Sequence, residues 1–123
     1  MKKECLFYKA GNPFSKAVKA NGFLFLSGNV AVDPLTGARG EGGIKEQTRL
    51  VLGNLKNLIE DCGSSFEDVV KVNIYLTNMD DFSSMNEVYK EFFPDNAPTR
   101  TTVGVKELSN AAFIVEIDLM AAL

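Results

Sequence analysis

The sequence predicts an α+β fold in which two helices cover one face of a six-stranded sheet. Three observations lead there. Segments rich in β-formers alternate with two segments of helical period, in the order β-β-β-α-β-α-β-β. The chain has 123 residues, 46% of them hydrophobic and 24% charged, which suits a single domain spanning residues 1–123 with a real core. Finally, two helices are too few to cover both faces of such a sheet, so an apolar face is left over, and that implies self-association.

The elements follow in order. Cys5-Leu6-Phe7-Tyr8 and Ala17-Val18-Lys19-Ala20 are short strand segments. Asn21-Gly22 is a two-residue hairpin turn, because both residue types tolerate positive φ. Phe23-Leu24-Phe25-Leu26-Ser27-Gly28 returns as a strand whose near-continuous apolarity predicts burial on both faces. Turn chemistry at Asp33-Pro34-Leu35-Thr36-Gly37 opens a glycine-rich loop to Gly43. Residues 44–62 form a helix with Ile44, Thr48, Val51, Leu52, Leu55, Leu58, Ile59 and Cys62 on its apolar stripe, and Gly63 stands where a C-terminal cap belongs. Residues 68–77 form a strand. A second helix starts near Asp80 or Asp81, packs Phe82, Met85, Val88, Tyr89, Phe92 and Phe93, and ends before Pro94. Residues 101–105 and 113–120 are the last strands, expected to pair as a simple hairpin. Phe25, Val72, Ile74, Val103 and Phe113 suit burial on the uncovered face, although periodicity does not say which of them face the helices.

Composition excludes much chemistry. There is no His, which removes Ser-His-Asp triads, Cys-His dyads and every His-containing metal site. Cys5 and Cys62 fit no metal or redox spacing, so no metal is expected, and a reducing cytoplasm is the default location. A net charge of −3 lacks the field that non-specific nucleic-acid binding uses. No apolar run reaches membrane-spanning length, and no signal peptide is evident.

Four places carry candidate chemistry. Arg100, in Ala97-Pro98-Thr99-Arg100-Thr101-Thr102, shares a strand face with Thr102 and Gly104, and its fork can hold a carboxylate bidentately. A surface Arg at a strand end is the plainer alternative. Glu116 interrupts an apolar strand and shares a face with Asp118. Among such neighbours a desolvated carboxylate has a raised pKa suited to acid–base work, and a solvated edge is the competing reading. The expected hairpin would bring Arg100 near the Glu116–Asp118 end. Asn86 lies in the apolar face of the second helix, where a bond to a nearby loop backbone is expected. Ser27-Gly28 ends a strand, where glycine permits either close backbone approach or a bulge. The run Gly37 to Gly43 matches neither a P-loop nor a dinucleotide fingerprint.

Asn12-Pro13-Phe14-Ser15-Lys16-Ala17-Val18, Leu26-Ser27-Gly28, Asp33-Pro34-Leu35-Thr36-Gly37, Gln47-Thr48-Arg49, Asp68-Val69-Val70-Lys71, Met85-Asn86-Glu87-Val88-Tyr89, Ala97-Pro98-Thr99-Arg100 and Val115-Glu116-Ile117 together resemble the Rid (YjgF) family, in order and at family spacing from about Gly11 to the end. The resemblance implies a chorismate-mutase-like α+β fold with a mostly antiparallel sheet, a homotrimer built around a central barrel, and one site at each subunit interface. It implies hydrolysis of reactive enamines and imines of the 2-aminoacrylate type to 2-keto acids and ammonia, without a cofactor. In that reading Arg100 anchors the substrate carboxylate, Glu116 activates water, and Ser27, Gly28, Asn86 and Thr102 line the site. The chain has Phe14 where the family often has Tyr, and Thr102 where it often has Cys. Two other activities accompany the family: endoribonuclease or translation-inhibitor action, for which this chain offers only Lys2, Lys3, Lys9, Lys16 and Lys19 near its start, and non-catalytic binding of keto acids.

Overall fold

The computed structural model describes residues 2–123. Strands β1 (Glu4–Leu6), β2 (Ala17–Ala20), β3 (Phe23–Val30), β4 (Val69–Leu76), β5 (Thr99–Gly104) and β6 (Val115–Ala122) form one six-stranded sheet in the order β1-β2-β3-β6-β4-β5, with helices α1 (Ile44–Asp61) and α2 (Phe82–Phe92). Every neighbouring pair is antiparallel except β4–β5, which is parallel.

Local chemistry explains the elements. Asn21 and Gly22 take φ of 53° and 80° and close the β2–β3 hairpin, with Ala20 opposite Phe23. Helix α1 ends in a Schellman motif. Gly63, at φ 87°, donates its N–H to the Glu60 carbonyl, and Ser64 donates to Ile59. β1 stops at Leu6, short of the expected Tyr8, because Phe7 sits at φ 55°, a left-handed conformation that no strand can continue through. Phe113 belongs to no strand. It plugs the core from the preceding loop at 2% exposure.

The expected hairpin between the last two strands is absent. β5 follows β4 through α2, and that β-α-β connection returns it parallel to β4 at the sheet edge. β6 slots between β3 and β4 instead. Its start is set by buried Gln47 on α1. The Gln47 amide donates to the carbonyls of Gly40 and Ala112 (3.1 and 2.9 Å) and accepts from the Ile114 N–H, tying two loops to the helix just before Glu116.

The sheet has two unlike faces. Leu24, Leu26, Val72, Ile74, Leu76, Val115, Ile117 and Leu119 lie under the helices in one buried cluster with Val51, Leu52, Leu55, Ile59 and Met85. The alternate residues face away: Phe23 and Phe25 on β3, Lys71, Asn73 and Tyr75 on β4, Val103 on β5, and Glu116, Asp118 and Met120 on β6. Of the residues suited to the uncovered face, Phe25 and Val103 lie there, whereas Val72, Ile74 and Phe113 are buried beneath the helices. Burial of β3 on both faces is not met within one chain, since Phe23 and Phe25 remain 39% and 38% exposed.

Candidate functional site

The predicted residues divide between the two faces. Arg100 pairs in register with Val72, a residue buried under the helices, so its side chain rises on the helix side of the edge strand. There its guanidinium carbon lies 4.7 Å from the ring centre of Tyr89 and 5.6 Å from that of Phe82, both on α2. No carboxylate forms an ion pair with Arg100 among the described residues, whereas Arg49 is paired with Glu91 at 2.8 Å. An open pocket of ≈ 600 Å³ adjoins Arg100, lined also by Asn86, Tyr89, Phe93, Pro94 and Ala97.

Three buried polar atoms around Arg100 lack a hydrogen-bond partner among the described residues: Asn86 Oδ1, the Tyr89 hydroxyl and Thr102 Oγ1. The loop-backbone bond expected for Asn86 is therefore not made at that oxygen. Burial pushes the Tyr89 phenol up to about 12, against the opposing pull of Arg100, so it stays neutral.

Glu116 pairs with Tyr75 and points from the opposite face. It is partly buried and accepts no hydrogen bond from a side chain among the described residues. Burial first, and then the negative charge of Asp118, raise its pKa above the usual carboxylate value. Asp118 is differently placed, accepting from Asn73 Nδ2 at 2.9 Å and from the Tyr75 hydroxyl at 3.0 Å. That bond to Asp118, and then burial, raise the Tyr75 pKa.

Ser27-Gly28 form a bulge. Leu26 pairs with Leu119 and Asn29 with Ile117, so two residues of β3 stand opposite Asp118 alone. The Glu116 carboxylate lies so close over Gly28 that a Cβ there would collide with it. Ser27 is fixed by donating its hydroxyl to the Ser15 carbonyl at 2.6 Å. Phe14, 61% exposed, lines a separate recess with Cys5, Tyr8, Asn12 and Ser15.

Two groups therefore form within one chain: Arg100 with Asn86 and Thr102 beneath α2, and Glu116 with Gly28 and Ser27 on the open face. The shared Arg100–Glu116 pocket expected from a β5–β6 hairpin is overturned by the strand order. Sequence reading passed over Tyr75 and Asn73, although their alternation with Val72, Ile74 and Leu76 marks a polar stripe. Phe82 and Tyr89 pack with the core as their helical spacing predicts, and the same two rings also face Arg100. Among the described residues, no three Cys, Asp or Glu are grouped to hold a metal ion, and no helix is long and apolar enough to cross a membrane.

Residues 7–123 match the family model described as Endoribonuclease L-PSP. The mitochondrial protein mmf2 of Schizosaccharomyces pombe is 49% identical over 114 residues, covering 91% of this chain and 89% of its own. A Dermatophagoides farinae protein named 2-iminobutanoate/2-iminopropanoate deaminase is 39% identical over 100 residues, covering 81% of this chain and 78% of its own. Among solved structures, YyfA of Yersinia pestis, described as a member of the conserved Rid protein family, superposes with a TM-score of 0.92 at 32% identity, covering 99% of this chain and 100% of that one.

Proposed function

Because the chain belongs to the Endoribonuclease L-PSP family, which includes the Rid (YjgF) proteins, we propose that it hydrolyses small 2-imino and 2-enamino acids to 2-keto acids and ammonia at sites shared between copies of the chain. One observation carries this reading. Among the described residues, Arg100 and Glu116 each lack a charged partner of opposite sign, and they stand on opposite faces of one sheet. A single chain cannot bring them to one substrate. Packing the open face of one copy against the edge strand of the next can do so, and it also covers Phe23, Phe25 and Val103. We take the assembly to be a homotrimer. The deaminase name of one relative supports the chemistry.

In this mechanism the substrate carboxylate docks in the free fork of Arg100. Glu116 of a second copy, ionised, takes a proton from water as the oxygen attacks the carbon of the protonated imine, giving the neutral carbinolamine. Glu116 then passes that proton to the amine nitrogen. The hydroxyl of the carbinolamine gives its proton to Glu116 as the C=O bond forms and the C–N bond breaks, and ammonia leaves. The raised pKa of Glu116 suits both halves of that exchange. Arg100, Asn86, Thr102 and Glu116 with Gly28 and Ser27 are the site residues of this reading, and Phe14 contributes an apolar wall in place of a hydroxyl.

Mixing two inactive variants tests it. Arg100→Lys and Glu116→Gln chains, co-refolded in equal amounts, regain roughly a quarter of wild-type sites if each site takes one residue from each of two chains. The readout is the lifetime of an imine generated by a pyridoxal-phosphate dehydratase. No recovery from the mixture, with both variants assembled, overturns the shared site. A wild-type protein that leaves the imine lifetime unchanged overturns the activity. RNA cleavage ranks second, since a chain of net charge −3 offers phosphates no general attraction.

A further inference from the structure

Arg100 is one of three arginines, and it has a setting neither of the others shares. Its charge meets aromatic rings rather than a carboxylate. Phe82 and Tyr89 are seven residues apart on α2, two helical turns, so both project from the same stripe toward β5. Tyr89 is 5% exposed and is itself braced by Phe93, with ring centres 4.8 Å apart. That aromatic row continues to Phe66, stacked on Phe93 at 4.8 Å and 9° between planes. A ring held this firmly is a fixed platform, whereas an arginine on an edge strand would otherwise sample many rotamers.

We propose that Phe82 and Tyr89 are positioning residues that clamp the Arg100 guanidinium through its π-face contacts and leave its N–H edge free for a substrate carboxylate. This rests on the reading of Arg100 as the carboxylate anchor. Rings attract a cation without occupying its hydrogen-bond donors, whereas an acidic partner would compete with the ligand for the fork. The clamp also explains why the position calls for arginine. A planar, weakly hydrated guanidinium lies flat on a ring, and an ammonium does so poorly. The Tyr89 hydroxyl plays no part in the clamp, because the attraction resides in the ring face.

The test combines binding with a spectroscopic signature, using the intact assembly and pyruvate as the probe. Ring currents displace the Arg100 Nε–H proton resonance upfield of the free-arginine position, and Arg100→Lys identifies that resonance by removing it. In Tyr89→Leu the resonance moves toward the free position, and the Kd for pyruvate rises roughly five- to thirty-fold. Tyr89→Phe, which keeps the ring, holds both at wild-type values. Phe82→Leu, at a partly buried site, shows the same pattern with a smaller effect. An Arg100 resonance at the free-arginine position in the wild-type protein overturns the clamp without any variant. So does a folded Tyr89→Leu or Phe82→Leu protein whose melting temperature falls while its Kd does not change, since that is what a purely packing role produces. If Arg100→Lys binds pyruvate as tightly as wild type, the anchor reading itself fails and the clamp with it. If only Arg100→Lys weakens binding, the anchor stands and the clamp alone is wrong.

Discussion

The two faces of the sheet are made by the same strands and have opposite characters. On β4, Val72, Ile74 and Leu76 are fully buried beneath the helices, while Lys71, Asn73 and Tyr75 between them face outward. On β6, Val115, Ile117 and Leu119 are buried, and Glu116 and Asp118 alternate with them. The helix face is a finished core. The open face is a polar centre, Glu116 with Asp118, Asn73 and Tyr75, flanked by exposed Phe23, Phe25 and Val103. A face that mixes exposed aromatics with a carboxylate unpartnered among the described residues is incomplete in one chain, and this incompleteness is what makes it a candidate for both assembly and chemistry.

The largest effect is expected at the centre of the open face. Glu116→Gln keeps the shape and removes the base, so imine hydrolysis falls roughly 10²–10⁴-fold while pyruvate binding survives. Unchanged turnover would make Glu116 a bystander and the open face an assembly surface only. Next comes a matched pair of stability variants. Ile74→Ala, on the helix face, should cost about 2–5 kcal/mol in urea unfolding at any protein concentration. Phe25→Ser, on the open face, should instead lower the mass seen by light scattering, and more so the lower the protein concentration. If Phe25→Ser leaves the mass of the assembly unchanged, this face is not the interface.

Arg100→Lys follows, with a loss of roughly 2–4 kcal/mol in transition-state stabilisation and no change in fold. Near-normal kcat/KM would reject Arg100 as the anchor. The smallest effect is a displaced pH profile. Glu116 acts in its ionised form and its pKa is raised, so the rate falls as pH drops through a value above the ordinary carboxylate range. The charge of Asp118 is one of the two causes of that rise, and Asp118→Asn should therefore move the acidic limb to lower pH. A limb that stays put would leave burial as the whole cause.

Much of this architecture is legible in the residues. The stripe from Ile44 to Cys62 marks α1, Asn21-Gly22 marks the β2–β3 hairpin, and the count of two helices against six strands marks the bare face, because each of these signals is local or arithmetic. Arg100 and Glu116 stand out for the same reason, each breaking the pattern of its strand. Strand order does not have a local signature. The segment after α2 could return beside β4 or pair with the last strand, and both satisfy the same alternation.

The sequence by itself determined the element types, the residues on each strand face relative to one another, the absence of histidine chemistry, and the residues that carry the resemblance to the Rid family. Tertiary structure alone decided that β6 lies between β3 and β4, and so that Arg100 and Glu116 occupy opposite faces. It decided that the ring platform beside Arg100 is Phe82 and Tyr89, and that Gly28 is the gap over which the Glu116 carboxylate lies. The physical reason is one of range. Periodicity reports which side of its own strand a residue takes, whereas the meeting of β3 with β6, or of α2 with β5, is set by burying the whole apolar surface at once, which no window of sequence contains.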